Sequence, residues 1–131
     1  DARDLNFFKN EDCDTDLYIL NCLNGVLVLR QDRVEFIKHA PDLLLSQIAN
    51  VRYEPGKSCE WWKKFVDEVM EGNQEKVRYL QKLFDICLTG DTRIEKMWFL
   101  FGGTTRNGKS TMIETISNLL GTYAVSVRAE T

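Results

Sequence analysis

Eight consecutive residues, Gly103-Thr104-Thr105-Arg106-Asn107-Gly108-Lys109-Ser110, carry the chemistry most readily read from this chain. They satisfy the pattern G-x-x-x-x-G-K-[ST] at every fixed position. The glycines allow backbone conformations and close approaches that a Cβ would block. The N–H groups of such a loop turn inward as an anion-binding nest. A helix that follows adds its unpaired N–H groups and the positive end of its dipole. The ligand that suits this arrangement is the polyphosphate tail of a nucleotide such as ATP. Lys109 is expected to reach the β- and γ-phosphates as a point charge and to carry the catalytic role. Ser110 is expected to place its hydroxyl on Mg²⁺, and Thr111 to approach the α-phosphate. Gly103, Thr104, Thr105, Arg106, Asn107 and Gly108 complete the expected binding set. Arg106 could approach the γ-phosphate or a neighbouring subunit, although a residue in its place is more often solvated.

Other residues invite chemistry less strongly. The run Glu11-Asp12-Cys13-Asp14-Thr15-Asp16 has the alternating carboxylates that hold divalent ions, but no glycine turn of the EF-hand kind follows it. It reads as a solvated or helix-capping loop. Lys57, Lys63 and Lys64 interleave with Glu60, Asp67 and Glu68, the pattern of a solvated helix face rather than a nucleic-acid groove. Cys13, Cys22, Cys59 and Cys87 form no C-x-x-C pair and the chain holds one histidine, His39, so a zinc site is poorly supported. Reduced, mostly buried thiols are expected.

The loop needs a strand before it and a helix after it. Met97–Phe101 is apolar at every position, as a strand buried on both faces would be. After the loop, Met112, Ile113, Ile116, Leu119 and Leu120 recur on one helix face, with Gly121 as the stop. Tyr123–Val127 is expected to begin another strand. Residues 91–131 therefore read as the start of a P-loop core.

Upstream, residues 1–57 read as a small β-rich region. Leu17–Leu23 and Val26–Arg30 flank Asn24-Gly25, a dipeptide suited to the type I′ hairpin turn. Gln31-Asp32-Arg33 is the expected next turn, with Val34–Lys38 a third strand. Pro41-Asp42 starts a short loop or helical turn, Ile48–Tyr53 is a possible returning strand, and Glu54-Pro55-Gly56 closes the zone. Residues 58–90 read as two helices. Trp61, Trp62, Phe65, Val66, Val69 and Met70 form one apolar stripe, with Ser58 as N-cap and Gly72 as stop. Asn73 caps the next, whose stripe is Val77, Leu80, Leu83, Phe84, Cys87 and Leu88, with Gly90 after it. Tryptophans stacking on bases, the alternative to core packing, is the weaker reading for the pair Trp61-Trp62. The expected class is α/β (α+β).

With 131 residues, 44% hydrophobic and 28% charged, the chain matches a folded globular protein of one domain's size. No apolar run reaches the ~20 residues of a membrane helix, and the first residues lack a signal peptide's order. A cytoplasmic protein without membrane contact is expected. The formal net charge of −3 argues against strong binding of DNA phosphates by this piece alone.

The chain resembles the phage/plasmid primase-helicase family, relatives of the poxvirus primase-helicase. The resemblance lies in Leu20-Asn21-Cys22-Leu23-Asn24-Gly25-Val26-Leu27, His39-Ala40-Pro41-Asp42-Leu43-Leu44-Leu45 and Ile48-Ala49-Asn50-Val51-Arg52-Tyr53-Glu54-Pro55. It continues through Tyr79-Leu80-Gln81, Cys87-Leu88-Thr89-Gly90-Asp91, Phe101-Gly102-Gly103 and Asn107-Gly108-Lys109-Ser110, covering roughly residues 15–131. It implies a superfamily 3 helicase acting in DNA replication: an AAA-like ATPase assembled as a ring-shaped homo-oligomer around single-stranded DNA, often with a primase domain upstream. Residues before the P-loop would link primase to motor. The acidic Walker B strand, DNA-contacting loop and arginine finger of that family lie beyond the P-loop helix. The chain, which does not start with Met, is therefore expected to be a piece with little ATPase or unwinding activity of its own. Two other classes fit less well: another P-loop enzyme such as a small-molecule kinase, and a non-catalytic partner-binding collar.

Overall fold

The runs of strand formers in Leu17–Leu29 call for paired strands, and the computed structural model, which describes residues 9–103 and 107–127, contains them. β1 (Ile19–Cys22), β2 (Gly25–Leu29) and β3 (Val34–Ile37) form an antiparallel meander in the order β1-β2-β3. The register runs from Ile19↔Val28 to Cys22↔Gly25, and from Val26↔Ile37 to Leu29↔Val34. The second turn falls at Gln31–Arg33 as expected, closed by Arg30 N–H donating to Arg33 O at 3.0 Å.

The first turn is displaced from the expectation by one residue. Cys22 pairs with Gly25, so the loop is Leu23-Asn24, and neither residue has a positive φ. Space rather than turn type demands the glycine: a Cβ there would lie 2.5 Å from Phe36 Cζ and 2.6 Å from Ile37 O. Asn24 serves elsewhere. Its Oδ1 accepts from Tyr53 N at 2.8 Å and its Nδ2 donates to Tyr53 O at 2.9 Å. Residues 48–53, expected as a strand, are an extended segment beside β1. Ala49 N–H donates to Asn21 O and Leu23 N–H to Val51 O, but Asn24's side chain takes over where a backbone ladder would continue. Leu20, Cys22, Leu27 and Ala49 form the buried cluster on this side, flanked by Leu29, Val51, Tyr53, Leu88 and Tyr123.

α1 (Glu60–Val69) and α2 (Gln74–Cys87) follow a turn at Glu54–Lys57, where Gly56 has φ +77°. Cys59, not Ser58, caps α1 by position; the Ser58 hydroxyl donates to Glu60 Oε1 at 2.8 Å. Gly72, at φ +70°, ends the first helix by donating its N–H to Asp67 O at 2.9 Å. Asn73 Oδ1 then accepts from the N–H groups of Glu75 and Lys76, the cap expected of it. α3 (Lys109–Leu120) contributes Met112 to a side-chain cluster with both helices. Met112, Val66 and Leu80 are the buried centre, surrounded by Trp62, Phe65, Val69, Met70, Val77, Leu83 and Phe84.

The stripes depart from expectation at particular residues. Trp61 is 83% exposed while Trp62 packs against Phe65 and Phe84. On a 100° helical step, Trp61 falls at the margin of the face centred between Phe65, Val66 and Val69. Ile113 is half exposed for the same reason. Of the four free cysteines only Cys22 is buried; Cys13 is intermediate and Cys59 and Cys87 are exposed, which corrects the expectation of mostly buried thiols. No helix among the described residues is long and apolar enough to cross a membrane.

The larger correction concerns the two strands expected around the loop. Met97–Phe101 is irregular and unpaired, with Met97, Phe99 and Phe101 78%, 83% and 92% exposed. Beyond α3, Gly121–Tyr123 is a short 3-10 turn and residues 124–127 are irregular. A strand is stabilised by the neighbour to which it donates its backbone hydrogen bonds. The three described strands all lie between residues 19 and 37, and none pairs with either segment. The architecture is thus mixed α and β, a meander beside a three-helix cluster.

Candidate functional site

Gly108 is the structural start of the site. It has φ +79°, a left-handed conformation that favours glycine, and it is the N-cap of α3. The first intrahelical hydrogen bond runs from Met112 N–H to Gly108 O at 2.9 Å. The N–H groups of Lys109, Ser110 and Thr111 therefore precede the helical ladder and face the loop end of the helix. No acidic side chain occupies the first turn, so nothing there competes with an incoming anion.

The glycine is held from behind by α1. A Cβ at position 108 would fall 2.7 Å from Val69 Cγ2 and 3.2 Å from the Phe65 ring. A Cβ on Gly102 would collide with the Asn107 side-chain amide and stand 3.1 Å from Lys109 Nζ. Both glycines therefore close a cradle that larger residues would fill. Lys109, half-buried, donates from Nζ to Asn107 Oδ1 at 2.5 Å, which folds its amine back over the loop. Ser110 and Thr111 are exposed at the first turn. Gly103 is exposed, with nothing near the position of its missing Cβ. Thr104, Thr105 and Arg106 lie outside the described residues.

The structure thus brings Gly102, Asn107, Gly108 and Lys109 together. A polyphosphate fits this donor set: a lysine amine, helix-start N–H groups and two positions that exclude a Cβ. Ser110 would be the hydroxyl available to Mg²⁺. Among the described residues no group of three or more metal-binding side chains exists elsewhere. The carboxylates of the acidic run serve local structure instead. Asp14 accepts from Ser46 N–H at 2.9 Å and from the Ser46 hydroxyl; Asp16 accepts from Tyr18 N–H at 3.0 Å and pairs with Arg30 at 2.8 Å. Arg30 holds the Asp16 carboxyl below the usual range, with the Tyr18 N–H adding to the effect. Lys63 and Lys64 pair with Glu60 and Glu68 one turn away, as a solvated helix face does, and Lys57 pairs with Glu54 across the turn before α1.

Two features escaped sequence reasoning. Phe65 and Val69 support the loop, yet their stripe reads simply as core. The far end of α3 is clasped to the β region: Asn50 N–H donates to Leu119 O at 2.9 Å, Thr122 N–H to Ile48 O at 3.0 Å, and Ile48 N–H to Thr122 Oγ1 at 2.7 Å. Asn21 N–H donates to the Tyr123 hydroxyl at 3.1 Å. Gly121, at φ +59°, lets the chains meet, since a Cβ there would lie 2.5 Å from Ile48 O. Only Gly121, placed as a helix stop, signalled this in the sequence. A second network joins Tyr18, Asp91 and Arg93: the Tyr18 hydroxyl donates to Asp91 Oδ2 at 2.7 Å, and Arg93 Nε donates to Asp91 Oδ1 at 2.9 Å.

A groove of about 820 Å³ lies away from this loop. It runs between α1, α2 and the C-terminal half of α3, lined by Trp62, Val66, Val77, Phe84, Ile116 and Leu119 among others. Its lining lacks Lys109 and the first turn of α3, so size alone does not mark it as the nucleotide site.

Comparison with protein-family models matches residues 4–71 to the model described as D5 N terminal like. The matched stretch contains the β meander, the segment clasped to α3, and α1 with Phe65 and Val69. The loop itself lies outside the match. Searches of curated proteins and of solved structures find no match.

Proposed function

Since this chain belongs to the D5 N terminal like family, a domain of phage and viral primase-helicase proteins, we propose that it serves DNA replication by seating MgATP on residues Gly103–Thr111. The observation that carries this reading is the left-handed Gly108 at the start of α3, wedged against Val69 and followed by Lys109 and Ser110.

In this reading the phosphates lie over the N–H groups of the loop and of the first turn of α3. Lys109 exchanges its present partner, Asn107 Oδ1, for the β- and γ-phosphate oxygens. Its charge then opposes the negative charge that gathers on the transferred phosphoryl group. Ser110 offers its hydroxyl to Mg²⁺, and Thr111 stands one residue on, toward the α-phosphate. When bound at Ser110, the metal would neutralise part of the phosphate charge. Thr104, Thr105 and Arg106 complete the loop. The enzyme class is an ATP-dependent primase-helicase of the superfamily 3 type, acting on single-stranded DNA as a ring of identical subunits, with a primase domain as a possible upstream partner. The family-matched part, residues 4–71, would be the collar from which the motor segment hangs. The clasp between Ile48–Asn50 and Leu119–Thr122 supports that role, because it ties the phosphate-binding helix to the collar at the end opposite the loop.

Equilibrium binding of a fluorescent ATP analogue tests the reading. The unaltered chain should take it up in a magnesium-dependent manner, and Lys109→Ala should lose most of that uptake. Equal uptake by both proteins, or none by the unaltered one, would refute it.

A further inference from the structure

We propose that Asn107 is a positioning residue for the phosphate site: its side-chain amide competes with phosphate oxygens for the amine of Lys109, and so sets how tightly the loop holds a polyphosphate. This rests on the reading of Gly103–Thr111 as that site. It gives a role to two residues, Asn107 and Gly102, whose identities the pattern G-x-x-x-x-G-K-[ST] leaves open.

The contacts of the Asn107 side chain carry the assignment. Lys109 Nζ donates to Asn107 Oδ1 at 2.5 Å. An ammonium has three donors and no acceptor, so the amide turns its oxygen to the lysine and its nitrogen away. The nitrogen meets Gly102: a Cβ on that glycine would lie 1.9 Å from Asn107 Nδ2, 3.0 Å from Asn107 Cγ and 3.1 Å from Lys109 Nζ. Gly102 has no positive φ, and the nearest neighbours of its missing Cβ are side-chain atoms rather than backbone. Gly108 differs on both counts, with its φ of +79° and its wall of Val69 and Phe65. Backbone conformation therefore does not demand glycine at 102. The space it leaves is the seat of the Asn107 amide.

The consequence follows from the chemistry of the amine. Phosphate oxygens at the first turn of α3 draw on the same Lys109 donors that Asn107 Oδ1 accepts. Binding exchanges one hydrogen bond for another, so affinity is lower by the strength of the bond given up. A neutral amide yields to a charged phosphoryl oxygen, because a bond with both partners charged is the stronger. Asn107 and Lys109 are both half-buried, which keeps the competition within the range of an ordinary hydrogen bond. A carboxylate at position 107 would be a competitor of the same shape and greater strength.

Calorimetry with MgATP and with magnesium tripolyphosphate tests the competition. Asn107→Ala should bind both ligands about 2- to 10-fold more tightly. Gly102→Ala, whose methyl displaces the amide from its seat, should act in the same direction, and the two substitutions together should gain no more than one alone. Asn107→Asp should weaken both ligands by about 10-fold or more, because it grips the ammonium harder and repels phosphate. These opposite signs separate positioning of Lys109 from a structural role, in which Ala and Asp would both weaken binding. In a Lys109→Ala chain, assayed at higher ligand concentration, adding Asn107→Ala should change nothing further. Weaker or unaltered binding in either Asn107→Ala or Gly102→Ala, or a gain that persists without Lys109, would overturn the competition alone, provided the unaltered chain takes up both ligands. Uptake of neither ligand by the unaltered chain or by Asn107→Ala would overturn the loop reading and the competition with it.

Discussion

Val69 Cγ2 occupies the space next to Gly108 in which a side chain at that position would have to fit, 2.7 Å from where its Cβ would be. One helix thus sets the backbone of the loop that precedes another. The family-matched part of the chain ends at residue 71, so its last helix supplies the wall against which the turn before α3 is formed.

Gly108→Ala should therefore act twice. The φ of +79° strains any residue with a Cβ, a cost of order 1–3 kcal/mol, and the methyl meets Val69. Urea unfolding should show that loss, with MgATP binding lost alongside it. Val69→Ala in the same chain should recover the steric part and leave the backbone strain. A Gly108→Ala chain of unaltered stability would show that the turn is not held as described.

Met112 anchors α3 between α1 and α2 at 2% exposure. Met112→Ala should lower stability by about 2–5 kcal/mol, the range for emptying a packed methionine site. The measurement is the denaturant midpoint at constant slope. Ile113→Ala, one residue on but 49% exposed, should cost much less. Similar losses at the two positions would mean that α3 does not face the helices in this orientation.

The clasp at the other end of α3 is a matter of single hydrogen bonds. Tyr123→Phe removes the hydroxyl that accepts from Asn21 N–H, and the half-buried N–H left behind should cost about 1 kcal/mol. Hydrogen exchange at Asn21 should quicken in the variant. Exchange that stays slow would place that N–H in another bond.

Acid should loosen the junction between the end of α2 and β1. Arg93, together with the Tyr18 hydroxyl, holds the Asp91 carboxyl well below the usual carboxylate range. A carboxyl depressed by folding contributes stability that is fully present above its unfolded pKa of about 4 and is lost as pH falls toward the folded value. Tyr18 has the opposite sign: its bond to Asp91 raises its pKa, so its contribution is present below about 10 and is lost as pH rises beyond that. The urea midpoint should fall on both sides of this window. Asp91→Asn should flatten both slopes, leaving the acid slope due to Asp16, Glu54 and Glu60. Unchanged slopes would show that the Asp91 network does not persist in solution.

How much of this was legible in the sequence varies with how local the cause is. Asn73 caps α2 because its oxygen reaches N–H groups two and three residues on, and sequence spacing contains all of that. The β meander was equally local, since runs of strand formers at Leu17–Leu23 and Val26–Arg30 flank a turn-forming dipeptide. The turn slipped by one residue because Gly25 answers to Phe36, eleven positions away. Trp61 and Trp62 have identical chemistry, and only the angular position of their neighbours separates a surface residue from a core one. Met97–Phe101 reads as a buried strand from its apolar run, yet strand formation depends on a neighbour, and none of the described strands lies beside it. In the candidate site, the residue types of Gly103–Ser110 announce their chemistry, while the wall behind Gly108 depends on tertiary packing that no spacing encodes.

The claim that a nucleotide's phosphates rest where α3 begins is most directly tested by following backbone amide resonances during an MgATP titration of the ¹⁵N-labelled chain. Saturable shifts should be largest at Gly108, Lys109, Ser110 and Thr111, and should vanish in Lys109→Ala. Shifts that concentrate instead around Trp62, Phe84 and Leu119 in the groove, or that do not saturate, would contradict it.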